Sequence, residues 1–435
     1  MKNLKALVSL MLAVAMLLCM TSALAESFSV DTLEVKIWDN NQLAGLQQIA
    51  DEWTAQTGVK VDIQVVNWDN YWTLLEAGAT AGNMPDVFWM HSNNAQMYMQ
   101  YDMLLDLTDY IAASDVVNLE NYYPGITELY SLNGRNYAVA KDHDTIALLY
   151  NKAIFDQYGV EYPNDNWTWE DYKAAAEAIT TASGGAVYGG AVNTNNNQDS
   201  FYNIIYDFGG YVISDDQKKS GWDDPNTIKA FEFMATLMNS AENPNSAWAP
   251  QPMAAESGKN VLFENGKIAM DTEGSWMIRE FYDYDGSENF AWAVLPYADM
   301  NGNGACDEGE RVSIYNGLGW AAFSGTKDPA AAWSLIEWFS TKEMQLKQSE
   351  LGVTMAGYIG CSDAFMNAFP GMDISAFLKM ETEGTLVFRP YSKSTSYWED
   401  AATQGLVALW NDPSSVNSVL TALAADMNAK LAAEG

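Results

Sequence analysis

The chain has 435 residues, with 57 acidic against 22 basic side chains and a formal net charge of −35. That balance repels nucleic acid and anionic lipid surfaces and excludes both as partners. Apolar residues make up 48% and aromatics 13%, too many for a disordered acidic tail, and the length exceeds one ordinary core, so two lobes of mixed α/β structure are expected.

Lys2 and Lys5 precede an apolar run from Ala6 to Met20, and Ala23-Leu24-Ala25 supplies small residues at the cleavage spacing. This predicts a secretory signal peptide over residues 1–25 and places the protein in the periplasm or at the extracellular cell surface. Cys19 lies inside the apolar run, but Leu18 stands where lipid attachment wants a small residue. Cleavage after Ala25 is therefore favoured over a lipid anchor. Export permits a disulfide between the remaining Cys306 and Cys361 without requiring one.

Leu33 to Trp38 alternates as a short strand. A helix follows, with Leu43, Leu46, Ile49 and Trp53 on one face and Gly58 closing it. Val59, Val61, Ile63 and Val65 alternate as a second strand, and another helix starts at Asn67-Trp68-Asp69-Asn70. Val87 to Met90 is a third strand. This rhythm of strand, polar loop and helix argues for parallel βαβ units. Further on, Thr168 caps a helix over 169–181. Asn193 to Gln198 is a polar loop. Gly221-Trp222-Asp223-Asp224-Pro225 precedes a helix from about Asn226 to Ser240, and residues 242–260 form a Pro/Ala/Ser-rich connection. Lys267 to Met270 and Ala291 to Pro296 read as strands, with Gly274-Ser275-Trp276 opening a helix between them. A polar excursion spans Asp299 to Glu310, and the chain returns along Val312 to Tyr315. Asp-Pro pairs at 328–329 and 412–413 start two more helices.

In open α/β sheets, ligands bind beyond the carboxyl ends of the strands. Those ends carry Trp38, Asp39, Asn40 and Asn41, then Trp68, then His91 and Ser92. An indole covers the apolar face of a pyranose, while amides and carboxylates bond its hydroxyl rim, so this mixture suits a sugar. The equipment of an enzyme is scarce. No G-x-S-x-G, H-E-x-x-H or Walker loop is present, only two histidines occur, and no carboxylate pair stands out among the acids.

The segments "TGVKVDIQVVNWDNYW", "GNMPDVFWM", "LLDLTDYI", "FENGKIAMDTEGSW" and "STKEMQLKQ" resemble family 1 of the extracellular solute-binding proteins, the sugar-binding components of ATP-binding-cassette importers. "LNGRNYAVAKDHDTIALLYNKAIFDQYGVEYPNDNWTWEDY" resembles that family's crossing between lobes most closely. The resemblance covers nearly all of the mature chain. It implies a two-lobed α/β periplasmic-binding-protein fold of type II, with discontinuous lobes over 26–141 plus 297–350 and 142–296 plus 351–435. It also implies a monomer that captures a mono- or oligosaccharide in the cleft between hinged lobes and delivers it to membrane permease subunits, with no bond broken. Asp142 and Asp144 would face the cleft at the hinge, with His143 turned away. Trp276 would stack on the sugar, and Asn316, Gly317 and Trp320 lie at a returning crossing. Trp222 and Tyr358 are further aromatic candidates. Arg389 would reach hydroxyls or, preferably, hold a salt bridge. Two alternatives stay open: a secreted glycoside hydrolase, and the same fold binding a non-sugar solute.

One segment departs from the family's usual short turn. "DMNGNGACDEGE" fits the calcium-loop pattern, with Asp299, Asn301 and Asn303 spaced as side-chain ligands. Gly304 stands at the sharp turn, Ala305 would offer its carbonyl, Asp307 would act through water, and Glu310 would close the site. A structural Ca²⁺ is expected there, and a solvated Asn-Gly-rich hairpin is the alternative. No cofactor is required for function.

Overall fold

A computed structural model describes residues 28–194, 196–238, 246–250 and 258–434. The signal peptide, Cys19 and most of the 242–260 connection lie outside the described residues. The strands in chain order are β1 (Thr32–Ile37), β2 (Lys60–Val65), β3 (Val87–Met90), β4 (Ser131–Leu132), β5 (Arg135–Asn136), β6 (Ala138–Ala140), β7 (Ile146–Asn151), β8 (Met270–Gly274), β9 (Phe290–Ala293), β10 (Val312–Tyr315), β11 (Gly319–Ala322) and β12 (Thr385–Phe388).

The first lobe is built on a five-stranded sheet in the order β2-β1-β3-β11-β6. β1 runs parallel to β2 and β3, as the βαβ rhythm requires. β11 runs antiparallel to β3 and β6, because the chain re-enters this lobe from the other one. The helix Asn40–Thr57 starts where Asp39 accepts the Asn41 amide, and it stops at Gly58, whose φ of 79° suits glycine. Its buried Leu46, Ile49 and Trp53 cover the sheet.

The second lobe centres on the antiparallel sheet β8-β7-β9. All six residues of β7 are buried, as befits a middle strand covered on both faces. β8 lies further along the chain than the apolar pattern suggests. Asp271 and Glu273 occupy its interior because Lys259 reaches between them, 2.9 Å from Asp271 Oδ1 and in direct contact with Glu273. A buried ion cluster thus holds a strand that hydrophobic alternation cannot reveal.

The second crossing lies at 315–318, not at 297 as the sequence reading placed it. Tyr297 exchanges backbone bonds with Trp167 and Trp169, and β10 pairs in parallel with β12, so residues 297–314 belong to the second lobe. The first core accordingly draws on residues 33–140 and 315–353, and the second lobe's cores on 146–314 and 355–431. Three crossings lie side by side at the hinge. Lys141 N donates to Leu318 O (2.7 Å), Asp144 N to Asn316 O (2.8 Å), His143 N to Met355 O (3.2 Å) and Gly357 N to Lys141 O (3.2 Å). At Gly317 a Cβ would stand 2.1 Å from Asp142 O, so the close approach needs glycine.

Among the described residues, Lys259 is the only cation in contact with two buried carboxylates. Replacing it by methionine is expected to cost about 3–5 kcal/mol of unfolding free energy by leaving them unpaired. Denaturant unfolding that matched the unaltered protein would show the cluster to be dispensable.

Candidate functional site

A cavity of about 610 Å³ opens between the lobes, in front of the three crossings. The first lobe lines it from the ends of β1 and β3 and from the helix Trp68–Ala81, which turns Trp68, Trp72 and Glu76 to one face. Asp142, Asp144, Asn316 and Leu318 form the floor. The second lobe contributes the loop Asn196–Gln198, then Trp276, Met277 and Glu280, and Arg389. Its helix Thr395–Asn411 adds one face at spacings of three and four, comprising Ser396, Glu399, Asp400 and Thr403.

Aromatic side chains line the cavity from both lobes. Trp38 is held edge-on by Trp68 (5.2 Å between centroids), Tyr71 (5.0 Å) and Trp89 (4.9 Å), with Trp72 tilted against it at 6.0 Å. On the second lobe, the indole of Trp276 lies against Gly274, where a Cβ would come within 2.0 Å of the ring. Glycine there lets the ring lie flat on the backbone. At the mouth Asn41 Nδ2 reaches Glu280 Oε2 across the lobes at 3.4 Å. Burial raises the carboxyls of both Asp39 and Glu280, and the Asp39 charge raises Glu280 further.

The polar floor divides into satisfied and unsatisfied groups. Asp142 accepts from Lys141 Nζ (2.5 Å) and from the Leu318 amide (2.6 Å), so both of its oxygens serve the hinge. Lys141 also donates to Gln42 Oε1 (2.7 Å) and sits over the Trp89 ring. Asp144 accepts from Ser275 Oγ (2.9 Å) on one oxygen only. Burial, and then the neighbouring Asp142 charge, raise its carboxyl well above the usual range. Asn316 Nδ2 lies 3.1 Å from His91 Nε2 and 3.2 Å from Gln198 Oε1, while its Oδ1 is buried and has no partner. Burial and the Arg389 charge hold the His91 imidazole well below its ordinary value, hence neutral. The other ring nitrogen, Nδ1, meets Asn93 Oδ1 at 2.9 Å and lies 3.3 Å from the Asn93 amide, which it caps at the start of the helix Ser92–Gln100. Arg389 is engaged by Glu399 (2.8 Å to each oxygen), Gln198 and Asn197. It holds a salt bridge and braces the loop that enters the cleft.

Of the sequence candidates, Trp38, Asp39, Asn41, Trp68, His91, Asp142, Asp144, Trp276, Asn316 and Arg389 meet around this cavity. The others do not line it. Asn40 is exposed in the first turn of its helix, and Ser92 is buried in the first turn of the helix Ser92–Gln100. Gly317 serves the crossing. Trp222 is a core residue of the second lobe, packed against Phe201, Tyr202 and Phe231. Trp320 lies in β11 inside the first core, stacked 4.5 Å from Phe339. Tyr358 packs edge-on against Tyr122. Gln42, Trp72, Glu76, Asn197, Gln198 and the helix Thr395–Asn411 were missed. Their signal is a polar or aromatic stripe at helical spacing, or a loop whose partners lie far along the chain.

The Asp299–Glu310 loop stands apart from the cleft. Asp299 accepts amides from Gly302, Asn303 and Gly304, Asp307 accepts the Asn301 and Asn303 side-chain amides, and Ala305 donates its amide to Asn303 Oδ1. Glu310 accepts the Met300 and Asp307 amides. Among the described residues, no three His, Cys, Asp or Glu side chains gather as a metal centre. Cys306 is exposed and Cys361 buried, and both are free thiols.

The family model for bacterial extracellular solute-binding proteins matches residues 38–346. The maltotriose-binding protein of Pyrococcus abyssi is 27% identical over 340 residues, which cover 77% of this chain and 68% of that one. Among solved structures, an ABC substrate-binding protein of Listeria monocytogenes in complex with cycloalternan superposes with a TM-score of 0.81 at 19% identity. The match covers 93% of this chain and all of that one. Maltose-bound MalE3 of T. maritima gives 0.74 at 18% identity, with 92% and 99% covered. These likenesses establish the fold as the two-lobed type II binding-protein architecture.

Asp199 lies directly behind the cleft loop and accepts the side-chain amides of Asn193 and Asn196. Burial pushes its carboxyl up to about 8, only partly offset by the Lys259 charge. The folded value exceeds the unfolded one, so the stability it gives when protonated is lost as pH rises from about 4 towards about 8. Asp199→Asn is expected to flatten the decline in melting temperature across that window. A decline as steep as in the parent would assign the pH dependence elsewhere.

Proposed function

This chain belongs to the bacterial extracellular solute-binding protein family, and on that premise we propose that it captures a short oligosaccharide in the inter-lobe cleft for delivery to the permease of an ATP-binding-cassette importer. One arrangement carries the reading: indoles from both lobes, Trp38 and Trp276, line one cavity whose floor includes Asp144 and Asn316. Asp144 has a second oxygen without a protein partner, while Asn316 Oδ1 and Trp72 Nε1 are buried without one. A sugar offers what they lack, namely apolar C–H faces for the rings and hydroxyls that both donate and accept. The volume of about 610 Å³ lies within the ~300–1,000 Å³ of ordinary ligand pockets and leaves room for more than one pyranose ring.

Binding without bond cleavage is part of the proposal. Glycoside hydrolysis needs a carboxyl pair; on the floor both oxygens of Asp142 are committed to Lys141 and Leu318, which supports binding, while Asp39, Glu76, Glu280 and Asp400 line the walls. Ligand contacts made to both lobes favour the closed arrangement, and the crossings act as the hinge. Export with cleavage after Ala25 completes the reading.

Tryptophan fluorescence should respond to maltotriose or to another member of a saccharide panel. Trp276→Ala is expected to weaken binding about tenfold or more, equivalent to about 1.4 kcal/mol, with the fold retained. Unaltered affinity would remove the stacking role. Stoichiometric binding without released reducing ends is expected, and turnover would favour a hydrolase. A response confined to peptides or amines would favour a non-sugar solute.

The Asp299–Glu310 loop is proposed, separately, to take a structural Ca²⁺ that would replace the amide hydrogens now bonded to its carboxylates. Support comes from the ligand spacing and from glycines at positive φ at 302, 304 and 309. Added Ca²⁺ should raise the melting temperature and a chelator should lower it, with Glu310→Gln insensitive to both. Identical melting with and without the ion would leave a hydrogen-bonded hairpin.

A further inference from the structure

The cleft uses His91, whereas His143 has no part in it. His143 is fully buried, on the opposite side of its extended segment from Asp142 and Asp144. Its Nδ1 lies 2.7 Å from Ala356 O on the third crossing, and its Nε2 lies 3.2 Å from Glu381 Oε2 on the helix Ser375–Glu383. A carbonyl and a carboxylate only accept. A neutral imidazole carries one N–H and can satisfy one of them, so the pair of contacts requires one more proton.

The surroundings place that proton on the ring. Burial alone would raise Glu381, but the hydrogen bond and charge of His143, with the hydroxyl of Tyr123, hold its carboxyl below the usual range. The Tyr123 ring, from the first lobe, stands 4.0 Å from the imidazole, and Tyr315 of the second crossing 5.6 Å. The titratable groups around His143 are therefore Glu381 from the helix, Tyr123 with Asp363 beyond it, and Tyr315 from β10. On its own segment, Lys141 and Asp142 are paired with each other, and Asp144 turns to the cleft.

We propose that His143 and Glu381 are positioning residues: a buried imidazolium–carboxylate clasp behind the hinge fixes the segment that presents Asp144 to the ligand. The clasp touches all three crossings and draws on both lobes. It is complete while both ring nitrogens carry hydrogen, and loss of one would leave a bare Nε2 lone pair facing the carboxylate. Only its ligand readout rests on the saccharide reading.

Imidazole ¹H–¹⁵N correlation spectra of the intact protein, from about pH 5 to about pH 9 around the free-imidazole value near 6.5, test the clasp without any ligand. At about pH 7, His91 should show a single ring N–H and His143 a hydrogen on both nitrogens. In Glu381→Gln the amide can donate to Nε2, so His143 should become the neutral Nδ1–H form while the fold is kept. The Asp144 amide resonance should move with the ring titration in the parent and stay fixed in the variant. Maltotriose affinity should fall about tenfold across the same titration in the parent and stay flat in Glu381→Gln. A singly protonated His143 in the parent, or an Asp144 amide that moves alike in both proteins, would overturn the clasp. Failure of maltotriose to bind either protein, with the ring spectra as expected, would instead count against the sugar.

Discussion

Asp142 accepts from Lys141 Nζ and from the Leu318 amide, and so ties the first crossing to the second through one carboxylate. Lys141 sits over the Trp89 ring and reaches Gln42, which brings β3 and the first helix into the same knot. An ion pair in such a dry place is a weak source of net stability but a strong constraint, because removing either member strands the other. Both lobes depend on it for geometry. The Asp144 and Asn316 side chains reach the cleft floor only while their segments stay in register, and Gly317 keeps the segments close enough for that.

A chain of net charge −35 crowds acids into its binding cleft and then neutralises most of those that are buried. Lys141 serves Asp142 and Arg389 serves Glu399. Asp144 is left with a single hydroxyl donor, beside an Asn316 oxygen with none. A donor on a hydroxyl-bearing guest that meets the free Asp144 oxygen does so on the floor of the cavity, where a hydrogen bond contributes more than the same contact at an exposed surface.

Much of this was legible in the sequence where the cause is local. Thr168 and Asp328 accept from the first turns of helices read from their caps, and Asp39, Asn67 and Asp224 do the same for helices read from the polar turns before them. The ends of β1 and β3 do carry cleft residues, because a strand's end in a parallel sheet is a topological fact. Reading failed where the partner is distant. The lobe boundary was misplaced because Tyr297 bonds to Trp167 and β10 to β12. Trp320 and Trp276 are the same residue to a pattern. Only the position of β11 between β3 and β6 sends one indole into the core, and only Gly274 lays the other over the backbone.

The aromatic walls are stiff and the hinge is the part able to yield. Trp38 is fixed by edge contacts on several sides, and Trp276 by the backbone beneath it, so neither ring has to be ordered when a ligand stacks between them. Rigid groups on two bodies lose little entropy on binding, so the free energy that varies is that of bringing the bodies together. Observed affinity then scales with the population of the closed arrangement as well as with the contacts inside it. That population is set at the crossings, where buried charges sit on both the cleft side and the rear. Substitutions that never touch the ligand can therefore tune capture as strongly as those that do.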